Sequence, residues 1–244
     1  MSDDDSITRN AFGQPVGFAL AAWKPPAPPS RAPLTGRYCT LEGLDAERHA
    51  GPLHAAYSEA PDGRDWTYLF PDPFASLGDY ADYLRRESAK DDPLHYAIID
   101  AATGKPAGTA ALMRIDCANG VIEVGHVNYA PRLQHSRAGT EAMFLLMRYA
   151  FDVLGYRRYE WKCDCLNAPS RKAAERYGFV FEGIFRQAVL VKGRNRDTAW
   201  YSIIDREWPR IRAAFEEWLL PENFDSNGAQ RQSLRAFRES LAKR

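Results

Sequence analysis

The sequence predicts one α/β domain of the α+β kind, built on a mixed, mostly antiparallel sheet with a central parallel β-α-β crossover. Three observations predict it. A chain of 244 residues suits one medium domain with extensions. Strand-like segments that follow one another across short turns predict antiparallel neighbours. A long apolar helical segment between two further strand-like segments predicts that those two strands lie parallel.

Composition narrows the class of protein. The chain has 32 basic and 32 acidic residues, so its net charge gives no reason to expect nucleic acid or an anionic membrane as a partner. Its four cysteines have neither a metal-ligand spacing nor the density of a disulfide framework, so we expect reduced cysteines and no metal. No apolar run reaches the roughly 20 residues of a membrane span, and the acidic start lacks an apolar signal core. A cytoplasmic location is therefore expected.

The first 34 residues differ from the rest. Six prolines fall between Pro15 and Pro33, which predicts an extended arm lying on a surface. Phe12, Phe18 and Trp23 are either buried anchors of this arm or parts of a free tail. We therefore divide the chain into an N-terminal arm (1–34), a central domain (35–205) and a helical C-terminal extension (206–244).

The elements of the domain begin with a strand over 37–44. Asp45 then suits the N-cap of a helix that runs to about residue 60, and a second helix covers 77–89. A strand over 95–100 returns through the turn 103–105 into a strand over 107–115. Asn119-Gly120 is a strong hairpin signal and leads into a strand over 121–129. Strict alternation places Glu123 and His126 on opposite faces of that strand.

The second half starts with the longest helix, over 138–154, which Gly155 ends. A strand over 159–165 follows, and Asn167 can cap a short helix that Gly178 closes. Strands over 180–191 and 198–204 are joined by a basic turn, 192–197, which is either simply solvated or contacts a substrate. A helix over 207–220 comes next, and the charged tail from 229 suggests a frayed helix.

Three stretches carry a family resemblance that covers roughly 37–205. The first is Glu123-Val-Gly followed by Gln-His-Ser-Arg-Ala-Gly-Thr-Glu-Ala over 134–142. The second is Asn-Ala-Pro-Ser over 167–170 with Gly178-Phe eight residues later, and the third is the pattern of the last hairpin from Glu182-Gly onward. Together they resemble the GNAT acetyltransferase superfamily and, within it, the RimJ/RimL-like branch of ribosomal-protein N-terminal acetyltransferases. The resemblance implies the GNAT acyl-CoA N-acyltransferase fold, acetyl-CoA as co-substrate and an amine as acceptor.

The start of the long helix is the expected binding site for the diphosphate of coenzyme A. A helix N-terminus presents unpaired amides and about half a positive charge, which suits phosphate. The predicted contacts are Arg137, Ala138, Gly139 and Thr140, to which the resemblance adds Val127, Gln134 and Asn167. Arg137 stands where the family has glycine; its amide can still donate if φ stays negative, and its guanidinium can bind phosphate. The alternative is an ordinary loop-to-helix junction.

Glu123 is the preferred general base. A carboxylate among apolar strand residues is costly without a task or a partner, and the resemblance places a glutamate base on this strand. The alternative is a buried glutamate held in an ion pair. Ser170 is the remaining acid toward the departing sulfur, because Ala174 replaces the family's tyrosine; its alternative role is to cap the helix. Val189 stands where some relatives have a glutamate.

The predicted activity is N-acetyl transfer to a protein or peptide N-terminal α-amine, by direct attack in a ternary complex. An α-amine with a pKa of about 8 needs only about 1.4 kcal/mol to become neutral at pH 7, against about 4.6 kcal/mol for a lysine. Acetylation of a small-molecule amine (an antibiotic, amino acid or polyamine) and a non-catalytic acyl-CoA-binding module are the alternatives. An acetyl-cysteine route through Cys163 or Cys165 is a minor one, and a homodimer is possible.

Overall fold

The chain folds around one mixed sheet, described by a computed structural model for residues 7–242. Residues 1–6 and 243–244, including most of the acidic start considered above, lie outside the described part. The described strands are β1 (Thr8–Arg9), β2 (Pro15–Val16), β3 (Leu34–Thr35), β4 (Cys39–Gly43), β5 (Leu94–Asp100), β6 (Lys105–Asp116), β7 (Val121–Tyr129), β8 (Arg158–Asp164), β9 (Val180–Val191) and β10 (Arg194–Ile204). The described α-helices are α1 (Ala46–Tyr57), α2 (Leu77–Ser88), α3 (Arg137–Arg148), α4 (Ala168–Tyr177), α5 (Trp208–Trp218) and α6 (Leu234–Leu241).

Eight of the strands form the sheet, in the order β3-β4-β5-β6-β7-β8-β10-β9. Every neighbouring pair is antiparallel except β7 and β8, which are parallel and are connected through α3. The predicted fold class, with its single parallel crossover, is therefore confirmed. Within residues 7–242, no helix has the length and apolar character needed to cross a membrane.

Helices cover both faces of the sheet. The first layer, α3, α4 and α5, packs on the face of β7 that carries Ile122 and Val124, which we call the α3 face. The second layer, α1 and α2, packs against Ala97 of β5 on the other side, the α1 face. Because successive strand residues point to opposite faces, Glu123 lies on the α1 face. The two faces are thus chemically distinct where β7 crosses the molecule.

Local capping explains where the helices begin and end. The Asp45 carboxylate accepts bonds from two amides at the start of α1, and the Asn167 side chain accepts from the amide of Ser170 at the start of α4. Gly178, with φ of 106°, ends α4 in the left-handed region, which glycine adopts without strain. These three sequence-based predictions are confirmed.

One buried carboxylate fixes the long helix to the edge of the sheet. Glu141 of α3 accepts hydrogen bonds from the amides of Arg37, Tyr38 and Cys39, at 2.8, 2.6 and 2.9 Å. These amides lie between β3 and β4 and in the first residue of β4, where the edge of the sheet would otherwise leave them without partners. The contact sets the position of the N-terminal half of α3.

Three features differ from the sequence-based expectation. The α-helix expected over 138–154 ends at Arg148, and a π-helix over Tyr149–Leu154 completes the segment that Gly155 ends. The turn expected over 192–197 is only Lys192-Gly193, with φ of 49° and 71°, and the polar residues after it already belong to β10. The tail from 229 is not frayed, because it contains α6. Leu234 is fully buried, and Arg238 donates to the carbonyls of Glu175 and Arg176 at the end of α4.

The N-terminal arm is held at its second half. Trp23 packs on Gly120, and Ser30 is bonded through its backbone to the hydroxyls of Tyr149 and Tyr96, at 2.9 and 2.6 Å. The first half is a small β1–β2 hairpin in which Phe12 is 87% exposed. The role of anchor therefore applies to the half-buried Trp23 and not to the exposed Phe12 and Phe18.

Candidate active site

The site is a cleft that opens where the two parallel strands part. β7 and β8 are paired only from Val121 opposite Arg158 to Val124 opposite Trp161. Beyond that point β7 continues for five residues along β6 alone, and the space between the strands widens into a cleft of about 1790 Å³. Backbone groups of β7 beyond Val124 on this side have no strand partner and can bind a ligand.

A bulge in β7 changes which side chains face the cleft. Between Gly125 and Asn128, three steps of β7 lie opposite two steps of β6, and His126 has φ of 49°. The expectation that His126 lies on the face opposite Glu123 is therefore wrong, since an extra residue breaks the alternation. The His126 ring lies 4.9 Å from that of His95 on the α1 face. Burial lowers the pKa of the His126 imidazole.

The N-terminus of α3 faces the cleft with part of its amides free. Ser136 is the N-cap: its Oγ accepts from the amide of Gly139 at 2.9 Å, and its carbonyl accepts from the amide of Thr140. Among the described residues, nothing accepts from the amides of Arg137 and Ala138. Two of the four expected phosphate donors are thus already used inside the chain, and two are available.

Arg137 keeps a helical backbone, so its amide can donate as expected. The left-handed residue in this turn is His135, with φ of 56°. The Arg137 guanidinium lies between the rings of Tyr38 and Phe224, 4.8 Å from each centroid. Cation–π contacts on both sides hold it against the C-terminal segment, so packing accounts for its position.

The other expected cofactor residues surround the same cleft. Val127 lies on the unpaired part of β7, and Asn167 caps α4 on the far wall. Gln134 donates to the carbonyl of Tyr129 at 3.0 Å, which closes the turn before α3. Thr140 accepts from Arg176 of α4 at 3.1 Å. The structure brings all seven expected residues to the lining of one cleft or to the helix start beside it.

Glu123 is buried and paired. Its Oε2 lies 2.8 Å from Nζ of Lys162, an ion pair without hydrogen-bond geometry, and 3.4 Å from Nε of Arg114. Lys162 also contacts Glu160 at 2.7 Å. Burial raises the pKa of Glu123, and the attraction of Lys162 opposes that rise. The observed contacts therefore match the alternative in which Glu123 is held in an ion pair. The raised pKa of Glu123 also suits a group that accepts a proton.

Ser170 does not cap α4 through its side chain. Its Oγ accepts from Nε1 of Trp161 at 3.0 Å, and the α4 cap is supplied by Asn167. Its hydroxyl hydrogen is therefore not needed for capping and can point into the cleft, which Ser170 lines. The neighbouring Cys163 thiol has its pKa raised by burial, which lowers its thiolate content at neutral pH.

Several lining residues were missed by sequence reasoning. Lys162 lies in a strand that alternates charged and apolar residues, and its charge, opposite to that of Glu123, could have paired the two across the predicted parallel strands. Arg196, Thr198 and Trp200 looked like turn or ordinary strand residues, although alternation along β10 gives them one face. Among residues 7–242, no group of three or more His, Cys, Asp or Glu side chains is arranged to hold a metal ion.

A loop over residues 58–76 crosses the α1-face end of the cleft. Lys192, in the β9–β10 turn, contacts the Trp66 carbonyl and the Asp72 carboxylate, each at 2.9 Å. The Tyr68 hydroxyl donates to the Leu166 carbonyl at 3.2 Å, on the other wall. These contacts join the loop to both sides of the opening and narrow the entrance.

Comparison with known proteins agrees with this geometry. The model of the acetyltransferase (GNAT) domain matches residues 39–180. A putative ribosomal N-acetyltransferase, YdaF, from Bacillus subtilis (strain 168) is 32% identical over 105 residues, or 43% of this chain and 57% of that protein. An uncharacterized N-acetyltransferase, p20, from Bacillus licheniformis is 30% identical over 146 residues, or 58% of this chain and 80% of that protein.

A solved structure is similar over a larger part of the chain. A GCN5-related N-acetyltransferase from Brucella melitensis has 53% sequence identity and a TM-score of 0.89, covering 90% of this chain and all of that one. The chain belongs to the GNAT acetyltransferase family. The predicted family and the predicted class, an acyltransferase, are thereby confirmed.

Proposed function

We propose that the protein transfers an acetyl group from acetyl-CoA to the α-amine of a peptide or protein N-terminus, within a ternary complex. The observation that carries the proposal is the pair of free amides of Arg137 and Ala138 at the N-terminus of α3, which face a cleft between two diverging parallel strands. Positive helix ends with free amides bind phosphate. When the diphosphate binds there, the open edge of β7 remains available to the rest of the acetyl-CoA molecule.

The residues fit coenzyme A. Gly139 permits the tight turn, since a Cβ would lie 2.6 Å from the carbonyl oxygen of Leu133. Val127 and Asn167 lie on opposite walls, where backbone and amide groups can bind an extended pantetheine arm, while Gln134 and Thr140 support the turn and the wall. Acetyl-CoA supplies the activated acetyl group; this chain supplies binding, orientation and proton transfer.

In this proposal Glu123 takes the proton from the amine and Ser170 donates a hydrogen bond toward the departing sulfur. Glu123 stands on the α1 face beside the opening of the strands, and Ser170 on the opposite wall. The free amides of β7 beyond Val124 are suited to polarise the thioester carbonyl. An acetyl-cysteine route is disfavoured, since burial raises the pKa of the Cys163 thiol.

The modest strength of the base supports this acceptor class. A carboxylate held by Lys162 is a modest base, and an α-amine asks about 3 kcal/mol less of it at pH 7 than a lysine does. The relative named as a putative ribosomal N-acetyltransferase supports the same class, as does the predicted RimJ/RimL-like branch. The narrowed entrance under the 58–76 loop suits a flexible chain end.

Two further parts of the proposal concern the whole molecule. A cytoplasmic location is supported by the four cysteines, which are all free. A homodimer is supported by the edge strand β9, where Phe181, Ile184, Phe185 and Leu190 are exposed. Such a row of apolar side chains on an unpaired edge is typical of an interaction surface.

A pair of variants at one position tests the phosphate site. Arg137→Pro removes one amide at the first helical position, where proline is well tolerated and the preceding Ser136 is already extended, with ψ of 164°. Arg137→Ala loses the same guanidinium and keeps the amide. We expect Arg137→Pro to bind coenzyme A about 10- to 100-fold more weakly than Arg137→Ala in calorimetry, because a hydrogen bond to a charged phosphate is lost.

Equal affinity of the two variants would remove the basis of the assignment. Turnover then identifies the acceptor: thiol release from acetyl-CoA is measured with peptides, amino acids, aminoglycosides and polyamines. Turnover on peptides but not on free small amines supports the N-terminal enzyme. Tight binding of coenzyme A without turnover on any amine would favour a non-catalytic acyl-CoA-binding module.

A further inference from the structure

Three polar atoms in a row on β10 are buried without hydrogen-bond partners: Nε of Arg196, Oγ1 of Thr198 and Nε1 of Trp200. Nine side-chain atoms in residues 7–242 share that condition, so a third of them lie on alternate residues of one strand. Thr198 is 4% exposed, and all three residues line the cleft. Buried polar groups are almost always paired, and an unpaired one indicates an absent ligand group or a functional site. We call these three residues the donor row.

The donor row lies on the α1 face. Trp200 is paired with Lys162 across the strands, and Thr198 with Asp164. The residue between those two, Cys163, belongs to the core on the α3 face, so Lys162 and the donor row point the other way. The free amides of α3 approach the cleft from the α3 side. The donor row is therefore placed for the acceptor and not for the diphosphate.

Charge distinguishes this row from its surroundings. Lys162 and Arg114 are both paired with Glu123. Among the described residues, no carboxylate forms an ion pair with Arg196, whose guanidinium lies 5.6 Å from the ring centroid of Phe70. The carboxylate next to it, Asp197, accepts instead from the amide of Gln187 at 2.7 Å and from Asn195 at 2.9 Å. A half-buried cation without a carboxylate leaves room for an anion.

The length of the donor row sets the distance between an anion at Arg196 and an amine at the proposed base. The Trp200 end adjoins Lys162, whose Nζ lies 3.8 Å from the Trp200 ring and 2.8 Å from Glu123, the proposed base. Arg196 is four residues away, and strand residues rise about 3.3 Å each, so the row is about 13 Å long. A single carboxylate cannot span it. A ligand that fills the row carries its anion several bonds away from its amine.

We propose that the donor row binds the oxygen atoms of the acceptor, with Arg196 holding a carboxylate, so that the preferred substrate is an N-terminal peptide with an acidic group within its first few residues. The inference rests on the proposed acetyltransferase function and names its substrate class. Thr198 and Trp200 donate to peptide carbonyl oxygens between the amine and the acidic group. Polyamines and aminoglycosides are poor acceptors, because they bring positive charge to Arg196.

Matched peptides test the charge. Short peptides that differ only by Asp against Asn, or Glu against Gln, at positions two to four are compared by kcat/KM at saturating acetyl-CoA. Wild type is expected to prefer the acidic member by at least about 10-fold. In Arg196→Gln the preference falls to less than about 3-fold. Arg194→Gln removes the same charge from an exposed residue outside the cleft and keeps the wild-type preference.

The hydroxyl gives a second readout. Thr198→Val removes an unpaired buried hydroxyl at nearly constant volume, so the melting temperature stays level or rises while KM for the acidic peptide rises several-fold. A merely structural hydroxyl would instead lower the melting temperature and leave KM unchanged. The KM for acetyl-CoA stays constant in Thr198→Val, Arg196→Gln and Trp200→Phe, since the row is on the acceptor side.

Several outcomes overturn the inference without touching the proposed function. One is turnover with equal preference for acidic and neutral peptides; another is a preference that survives Arg196→Gln. Polyamine turnover that exceeds peptide turnover would overturn both the inference and the proposed peptide acceptor. Should no amine be acetylated, calorimetry with the same peptides in the presence of coenzyme A decides. Equal binding of acidic and neutral members then refutes the donor row, whereas failure of coenzyme A to bind refutes the acetyltransferase assignment instead.

Discussion

The replacement Glu123→Gln separates a proton-accepting role from an ion-pairing one. Glu123 belongs to a chain of alternating charges on the α1 face, in the order Arg114, Glu123, Lys162, Glu160 and Arg158. Successive contacts measure 3.4, 2.8, 2.7 and 2.6 Å. Arg158 is in turn held by Glu182 at 2.6 Å, so the formal charges of the whole chain cancel. The glutamine variant keeps the shape and leaves one excess positive charge.

The expected loss of stability in Glu123→Gln follows from the ion pairs that remain after the replacement. Removing one partner of a buried ion pair costs about 3–5 kcal/mol when the other charge is left alone. Lys162 keeps Glu160 at 2.7 Å, and Arg114 is 53% exposed, so we expect a loss of only about 1–3 kcal/mol in the free energy of unfolding. Combining Glu123→Gln with Lys162→Met removes one charge of each sign and should recover part of this loss.

The expected effect of Glu123→Gln on catalysis is much larger than its effect on stability. Loss of a general base lowers kcat/KM by about 10²- to 10⁴-fold. Because burial raises the pKa of Glu123, the wild-type kcat/KM rises with pH through an acid limb above the ordinary glutamate range, and that limb disappears in Glu123→Gln. The assay is thiol release with a peptide acceptor from pH 5 to 9, beside urea unfolding of each variant.

The double variant provides the refuting result. If Glu123 acts only by neutralising Lys162, removing both charges restores activity along with stability. Glu123→Gln/Lys162→Met with wild-type kcat/KM and an unchanged acid limb would therefore show that the proton goes elsewhere. His126, on the same face because of the β7 bulge, would then be the next group to replace.

Two further predictions concern buried polar residues that stabilise the fold around the site. Glu141→Gln leaves at least one of three buried or partly buried amide contacts without its acceptor and should lower the free energy of unfolding by about 1–3 kcal/mol in urea. The control Glu216→Gln, at an exposed residue, should change it by less than about 0.5 kcal/mol. His95 is buried, which lowers its pKa to about 4. The neutral form of His95 therefore contributes stability that is complete above pH 6.5 and lost as pH falls toward 4, and His95→Gln should flatten that decline. An unchanged pH dependence of unfolding would contradict the assignment.

Local signals predicted most of the fold because they are short-range. Asp45, Asn167 and Gly178 act within one helical turn, so their residue types alone set where helices begin and end. Strand pairing across the Asn119-Gly120 turn needs no more than a hairpin. The parallel crossover was predictable because a long apolar helix between two strands leaves one common solution.

What the sequence did not predict depends on register and on distance. A bulge costs one unpaired residue and leaves no mark in the apolar pattern, so the face of His126 was assigned wrongly. The partnership of Glu123 with Lys162 joins residues 39 positions apart and depends on the stagger of β7 against β8. Ser136 was readable as an N-cap, and that reading would have shown in advance that the amide of Gly139 is already used.

The same opening of the sheet explains both halves of the proposed chemistry. Because β8 leaves β7 at Val124, the α3 N-terminus reaches the cleft from one face while Glu123 and the donor row reach it from the other. On the α1 face of the cleft, the charges of Arg114, Glu123 and Lys162 are neutralised within the chain of ion pairs, whereas Arg196 is a cation without a carboxylate partner among the described residues. Neutralisation near the reacting amine keeps Glu123 from attracting cationic acceptors, and the unpaired guanidinium at the far end selects anionic ones. Selectivity on this face therefore depends less on the number of charges than on which of them lacks a partner.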